Sequence, residues 1–324
     1  MPKSITNIYH LHSSLFPLKS NRTDDFYDFI ELAESRGIES FSREAFESLK
    51  QDHSLVENSI VQHIVSSKKI DFDLQYLSRY TQSMNIEAIP DGNTPIVFID
   101  ELLEYSLLGF FLAVNSYAGN QSDANRKQCF TQIFELLDLQ GRKQILATYD
   151  KNSSDDWLLM PTNLMHYASD TYWSAWTFVI GHELYHIQNW KKEQSIEDEL
   201  LADAYGYEIL MHMIDEQKKG NLDNEISAFY DYLYLAPVML LEFDRLLDFY
   251  KKLIGQPGLQ TTHPEPEKRQ EHLFSLFDSH VPDDMDTTTG NGLLNCFLNI
   301  VEEFRKELVE KWDNGDFQNG KWRF

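Results

Sequence analysis

The segment from Phe178 to Ile187 contains the pattern His-Glu-x-x-His within a stretch that is typical of a buried helix. Residues four apart on a helix lie on one face, so His182 and His186 can direct two imidazole nitrogens at one metal ion. Glu183 is one position further round, where a carboxylate can take a proton from a metal-bound water. The pattern therefore predicts metal-assisted hydrolysis. The alternative is an amphipathic helix with two solvated or core histidines, because short patterns also arise by chance.

A second predicted helix follows at a distance that suits a third ligand. Catalytic zinc uses three protein ligands and leaves its fourth position to water. Ser195 has the side chain of a helix N-cap, and acidic residues follow it in the first turn, where the helix dipole favours them. The segment from Gln188 to Gln194 is short and polar, so the chain can reverse and bring the two helices side by side. Small residues at Ala202, Ala204 and Gly206 would allow a close approach.

Two acidic residues of this helix, Glu199 and Asp203, are four apart and share a face. We expect Glu199 to bind the metal and Asp203 to accept a hydrogen bond from a ligand histidine, which holds the tautomer of that histidine. Glu197 and Asp198 fit the ordinary role of solvated acids at a helix start. The same role is the alternative for Glu199, but the Ala-Asp pair that follows it favours the ligand.

A third histidine lies in the segment from Thr261 to Arg269. Pro264 and Pro266 predict an extended entry to a helix from Glu267 to Phe277. Placed after a two-helix metal site, His263 could donate a hydrogen bond to the oxyanion formed as a peptide carbonyl becomes tetrahedral. The alternative is a histidine in a surface loop.

Together these motifs resemble the gluzincin metallopeptidases. The resemblance rests on His-Glu-x-x-His, Glu-x-x-Ala-Asp and Thr-His-Pro with a following arginine, and it extends from about Trp176 to Leu273. The pattern is most similar to the prenyl-protein and heat-shock membrane peptidases and to the soluble bacterial relatives of the phage-exclusion protease Lit. The resemblance implies Zn²⁺ held by His182, His186 and Glu199, with Glu183 as general base and acid, Asp203 as the hydrogen-bond partner of a ligand, and His263 as a transition-state stabiliser.

Three positions bear on how far the resemblance extends. The best candidate for a membrane span, Leu107 to Val114, is too short, which favours the soluble branch. Tyr185 stands where many members have a small residue, so we expect its ring to narrow the cleft. Arg269 also falls at a family position, and whether it pairs with Asp203 is left open.

Composition and charge indicate a soluble intracellular enzyme. Of 324 residues, 42% are apolar and 13% aromatic, which is ample for a substantial core. Cys129 and Cys296 are the only cysteines, and Met1 to Ser20 lacks a charged start followed by an apolar run, so we expect the cytoplasm. A formal charge of −24 would repel phosphate backbones and anionic membranes, so neither nucleic acid nor a membrane is an expected partner.

The expected fold is α+β and mainly helical, with a zincin-like core that contains a small sheet. Residues 1–90 are expected to form a helical N-terminal region, and residues 91–324 the metallopeptidase core. Ile96 to Ile99 is the best strand candidate, either as an edge that binds extended substrate or as plain core. Apolar helices are predicted from Glu101 to Tyr117 and from Lys127 to Leu139. Phe229 to Tyr250 is predicted as one long apolar helix or a broken pair, interrupted at Pro237, and Asn295 to Trp312 as a final helix.

The sequence therefore predicts a zinc-dependent endopeptidase that acts on a protein or peptide substrate. By resemblance to the phage-exclusion branch, we expect activity to depend on a protein trigger or inhibitor and to fall on one host protein in stress or phage defence. The competing hypothesis is a non-catalytic, metal-stabilised protein-interaction module that keeps the gluzincin scaffold.

Overall fold

The computed structural model divides the chain into two compact units. The first comprises residues 1–104 and 143–158, and the second comprises residues 105–142 and 159–324. The structure describes residues 60–62, 64, 75–79, 86–89, 95–142, 162–190, 195–220, 232–256, 264–281 and 287–316. Most of the predicted N-terminal region 1–90 therefore lies outside the described residues.

Within the described part of the first unit, three short strands form a sheet. They are β1 (Gln75–Arg79), β2 (Ile86–Ile89) and β3 (Ile96–Asp100). β3 lies in the middle, parallel to β1 and antiparallel to β2. Its Val97 is 0% exposed, so the strand predicted at Ile96 to Ile99 is part of a core. Because β3 is paired on both sides, it offers no edge to an extended substrate.

The second unit is built from helices wherever the structure describes it. These are α1 (Glu101–Gly119), which belongs to this unit from Tyr105 onward, α2 (Asp123–Arg142), α3 (Thr162–Gln188), α4 (Ile196–Gly220), α5 (Ala236–Leu253), α6 (Pro266–His280) and α7 (Thr287–Asp313). Among the described helices, none combines the length and the apolar character needed to cross a membrane.

The expectation of an α+β zincin-like core is wrong. The unit that carries His182, His186 and Glu199 is all-helical in its described part, and strands β1 to β3 belong to the other unit. The physical reason lies in α3, which packs against α4 and α5. A buried apolar helix can be covered by other helices or by a sheet, and the apolar pattern of the helix itself does not distinguish the two.

Three of the helices predicted from the sequence are present with longer bounds, as α1, α2 and α7. The segment predicted from Phe229 to Tyr250 is helical from Ala236 to Leu253, and Phe229 to Asp231 lie outside the described residues. The predicted break at Pro237 is confirmed, because α5 begins at Ala236 and Pro237 lies in its first turn. Proline is tolerated there since the first N–H groups of a helix have no intrahelical partner. The helix is followed by Gly255, whose φ of 72° is a conformation that glycine adopts easily.

Aromatic side chains join the helices around the core. The Phe110 ring of α1 lies 4.9 Å from Phe243 of α5 and 5.6 Å from Phe297 of α7, measured between ring centroids. Phe130 of α2 lies 5.4 Å from Phe304 of α7. The spacing of Phe297 and Phe304 places both on one stripe of α7, which packs inward. The helix α5, which packs against α3, is therefore itself held in a core of aromatic side chains from α1 and α7.

Candidate metal centre

The two histidines of the predicted motif lie on one face of α3. This helix runs without a proline from Thr162 to Gln188, so its backbone hydrogen bonds continue through the motif. His182 and His186 are each 4% exposed. Their Nε2 atoms lie 3.1 Å apart. The four-residue spacing thus places the two Nε2 atoms close enough to bind one metal ion.

The start of α4 brings Glu199 toward these histidines. Ser195 Oγ accepts a hydrogen bond from the Asp198 N–H at 3.2 Å, and Asp198 Oδ2 accepts one from the Ser195 N–H at 3.0 Å. This reciprocal pair is a capping box, and it confirms Ser195 as the N-cap. Asp198 is only 7% exposed, so its predicted role as a solvated acid is wrong, whereas Glu197 is exposed as expected. The cap fixes where the helix begins and thereby places Glu199 in its first turn.

A pair of glycines allows α3 and α4 to approach closely. A Cβ on Gly206 would lie 2.5 Å from the Phe178 carbonyl oxygen and 3.0 Å from the His182 nitrogen. A Cβ on Gly181 would lie 2.8 Å from the Gly206 Cα. Neither position can take a side chain without moving a helix, so the predicted spacing role of Gly206 is confirmed. The contact lies beside His182 and therefore sets how far that residue is from α4.

Glu199 forms a triangle with the two histidines. Its Oε2 lies 3.4 Å from His182 Nε2, and its Oε1 lies 3.5 Å from His186 Nε2. In a tetrahedral zinc site with ligand bonds of about 2.0–2.1 Å, ligand atoms lie about 3.3 Å apart. Two imidazole nitrogens and one carboxylate oxygen are also donors that zinc accepts. The three residues could therefore hold a zinc ion with little movement.

Asp203 contacts the other ring nitrogen of His182. Its Oδ1 lies 2.9 Å from His182 Nδ1, and its side chain is fully buried. Arg269 of α6 donates to both carboxylate oxygens, from Nε to Oδ2 at 2.8 Å and from Nη2 to Oδ1 at 2.5 Å. The pairing of Arg269 with Asp203, which the sequence leaves open, is thus present. An Nδ1–H donated to Asp203 would leave the His182 Nε2 lone pair directed at the triangle.

The buried charges of the site shift the pKa values of their neighbours. Burial lowers the pKa of His182, but hydrogen bonds to Asp203 and Glu199 outweigh burial and raise this pKa to about 9. Burial would raise the pKa of Asp203, but the guanidinium of Arg269 holds it well below its usual range. Asp203 is therefore ionised at neutral pH, and without a metal the site stabilises a proton on His182.

Glu183 lies next to the ligands without being one of them. It follows His182 directly on α3, turned by about 100° around the helix axis. Its side chain is buried, with 6% exposed. Among the described residues, the ligand atoms that converge belong to His182, His186 and Glu199. Its role as a general base stays a prediction.

The structure describes only part of the predicted third segment. His263 lies outside the described residues, so its role stays a prediction. Glu265 is extended, with φ −53° and ψ 139°, and α6 begins at Pro266. This agrees with the extended entry and the helix that the two prolines predict. The predicted effect of Tyr185 also stays a prediction: its half-buried ring lies 5.9 Å from His186, between ring centroids.

Sequence reasoning does not single out Gly181 or Glu242. Gly181 carries a signal, because glycine inside a helix costs roughly 1 kcal/mol relative to alanine and so indicates a packing requirement. Glu242 carries none, since it stands in the apolar stretch of α5 like any acid on an amphipathic helix. It is nevertheless only 3% exposed and hydrogen-bonded to Arg245, Gln270 and Arg305.

Because the comparisons with known proteins found no match, the site is interpreted from its geometry. The geometry consists of the ligand triangle, the buried Asp203 and Arg269 pair, and Glu183 beside the first ligand. No protein-family model, no curated protein and no solved structure matches the chain.

Proposed function

We propose that this chain is a zinc-dependent endopeptidase that hydrolyses peptide bonds of a protein substrate. The observation that carries the proposal is the convergence of His182, His186 and Glu199, one ligand atom of each lying within 4.8 Å of the others. Structural zinc sites usually have four protein ligands, whereas catalytic sites have three and an open position. The cluster found among the described residues has three members, which favours the catalytic class.

The residues of the site have separate tasks in this proposal. His182, His186 and Glu199 hold the ion. Zinc, when bound, acidifies a coordinated water and polarises the substrate carbonyl. Glu183 takes the proton from the attacking water and then delivers it to the leaving amine. Asp203 accepts the Nδ1–H of His182, which keeps the imidazole in the orientation that binds through Nε2.

By the gluzincin resemblance, His263 donates a hydrogen bond to the oxyanion that forms at the scissile carbonyl. The position of α6 supports this assignment. Arg269, in the first turns of α6, reaches Asp203 beside the ligand triangle. His263 precedes Arg269 by six residues in the sequence.

We place this activity in the cytoplasm, under the control of a protein trigger or inhibitor, in stress or phage defence. Cys129 and Cys296 are both free thiols, which suits a reducing compartment. The net charge of −24 favours a protein substrate over nucleic acid. The three ligands and Glu183 are at most 6% exposed. Such burial supports regulated access.

The test of the proposal is the Glu183→Gln variant. Glutamine keeps the size of the side chain but cannot take a proton, so we expect zinc to stay bound and kcat to fall on the order of 10²–10⁴-fold, the usual contribution of a general base. Mass spectrometry of new protein termini in cells that express each form would identify substrate and scissile bond. Glu197→Gln, at an exposed glutamate of α4, is the matched control and should cleave like the wild type.

Two outcomes would contradict this proposal. Purified wild-type protein with no affinity for zinc would remove the metal site. A zinc-loaded Glu183→Gln variant that produces the same termini at the wild-type rate would refute Glu183 as the base.

The second candidate function is the non-catalytic, metal-stabilised protein-interaction module. The observation that favours it is the burial of His182 and His186, each 4% exposed, together with fully buried Glu199. Zinc would then stabilise the fold, and the protein would cleave no substrate. Wild-type and Glu183→Gln cells would in that case have identical protein termini, whereas both purified proteins would bind zinc.

A further inference from the structure

A second buried polar cluster joins the helices next to the candidate site. Glu242 of α5 is 3% exposed. Its Oε2 accepts hydrogen bonds from Arg245 Nη1 at 3.0 Å and from Gln270 Nε2 at 3.2 Å. Its Oε1 accepts a hydrogen bond from Arg305 Nη2 at 3.1 Å. We call these four residues the Glu242 cluster.

The Glu242 cluster connects three helices. Glu242 and Arg245 belong to α5, Gln270 to α6 and Arg305 to α7. Gln270 Nε2 also donates to the Val238 carbonyl oxygen at 3.2 Å, so one amide of α6 is bonded to two acceptors of α5. A buried ion pair often adds no stability compared with apolar residues of equal volume. Its hydrogen bonds are directional, however, and are satisfied in one arrangement of the helices.

The same helix, α6, contacts the metal site through the residue before Gln270. Arg269 donates to both oxygens of Asp203, at 2.8 and 2.5 Å. One turn later, His272 Nε2 lies 3.0 Å from the Leu200 carbonyl oxygen. Consecutive residues of a helix point about 100° apart. Gln270 therefore binds α6 to α5, while Arg269 and His272 meet α4.

We propose that Glu242 is a positioning residue for the metal site and acts through Gln270 and Arg269. The two hydrogen bonds from Arg269 to Asp203 depend on the rotation and height of α6, because hydrogen bonds weaken steeply as distance and angle change. Gln270 holds that rotation, and Asp203 in turn orients His182. The inference rests on the proposed metal site and assigns to it a residue that lies outside every motif.

The first measurement is the zinc affinity of Glu242→Gln, obtained by competition with a chromophoric chelator at neutral pH. Glutamine keeps the shape of Glu242 and removes its charge. We expect Kd to rise about 5-fold, less than the roughly 10–100-fold that follows loss of a direct partner of a ligand. The absorption spectrum of the cobalt-substituted protein should keep its band positions, since the ligands are the same. A purely structural residue would lower the unfolding temperature without changing Kd.

Glu302→Gln is the matched control. Glu302 accepts a hydrogen bond from Arg305 Nη1 at 3.2 Å, but its side chain is 47% exposed and it has no contact with α6 among the described hydrogen bonds and ion pairs. Its zinc Kd should equal that of the wild type. Gln270→Met removes the link between Glu242 and α6 while keeping every charge of the cluster. It should weaken zinc binding in the same direction, and it provides the test if Glu242→Gln does not fold.

A double-mutant cycle tests the route through Arg269. The Arg269→Met variant already lacks both hydrogen bonds to Asp203. Adding Glu242→Gln to it should therefore change the Kd for zinc less than about 2-fold. Full additivity of the two losses would overturn the route. Zinc affinities of Glu242→Gln and Gln270→Met equal to that of Glu302→Gln would overturn the positioning role itself. A wild-type protein that binds no zinc would instead refute the proposed function, and with it this inference.

Discussion

Two buried glutamates of this protein have different surroundings. Glu242, 3% exposed, accepts hydrogen bonds from the guanidinium groups of Arg245 and Arg305, whose charge is permanent. Glu199, 0% exposed, faces the imidazole nitrogens of His182 and His186, which carry no permanent charge. The charge of Glu242 is thus balanced by two arginines that stay charged. The charge of Glu199 can be balanced by a proton on His182 or by a metal ion.

The type of cation that faces a buried carboxylate therefore helps to distinguish a structural glutamate from a candidate metal ligand. Burial lowers the pKa of His182, but Asp203 and Glu199 raise it to about 9, so a proton on His182 balances Glu199 when no metal is present. A metal ion would take the place of that proton, because imidazole binds metals in its neutral form. At Glu242 a metal ion would have to compete with two arginines, which favours a structural role.

The largest expected effect would test this comparison directly. Glu242→Leu should lower the free energy of unfolding by about 3–5 kcal/mol, because it removes a buried carboxylate that accepts hydrogen bonds from Arg245, Gln270 and Arg305. Glu199→Leu in metal-free protein should cost about half as much or less, since His182 can become neutral when its carboxylate is removed. Urea denaturation after treatment with a chelator measures both values. If Glu242→Leu and Glu199→Leu lower the free energy of unfolding equally, the proposed difference between the two glutamates is wrong.

The next effect concerns zinc affinity. Glu199→Ala should weaken zinc binding on the order of 100-fold, since four-ligand zinc sites gain roughly 10–16 kcal/mol and one ligand accounts for about 3 kcal/mol. Zinc at a hundredfold excess over Kd should stabilise the wild type by about 2.7 kcal/mol and the variant far less. Chelator competition and thermal unfolding measure the two quantities. Glu197→Ala, in the same turn of α4 but exposed, is the control, and an equal Kd in both variants would exclude Glu199 as a ligand.

The smallest effect concerns the helix contact that positions the site. Gly206→Ala should destabilise the protein by about 1–3 kcal/mol, because its Cβ would lie 2.5 Å from the Phe178 carbonyl oxygen and push α3 from α4. Gly292→Ala in α7 has open space around its Cβ and should instead stabilise by up to about 1 kcal/mol. Thermal unfolding compares the two. If Gly206→Ala is as stable as the wild type, the glycine contact does not set the helix separation.

Local signals account for the parts of the site that sequence analysis predicts. The spacing of His182 and His186 indicates a shared helix face, and Ser195 marks the start of α4 because its side chain caps free N–H groups. The predicted sheet in the same unit is wrong for a different reason. The apolar pattern of α3 predicts that the helix is buried, but helices and sheets bury such a surface equally well.

The sequence by itself determined the donor types, their helical spacing and the place where each site helix begins, because these depend on neighbours within one or two turns. Only the tertiary structure decided that Glu199 closes the triangle, that Arg269 holds Asp203 from 66 residues away, and that Glu242 joins three helices. These contacts depend on how closely helices pack. That packing is a property of surfaces such as Gly181 against Gly206, whose partners lie far apart in the chain.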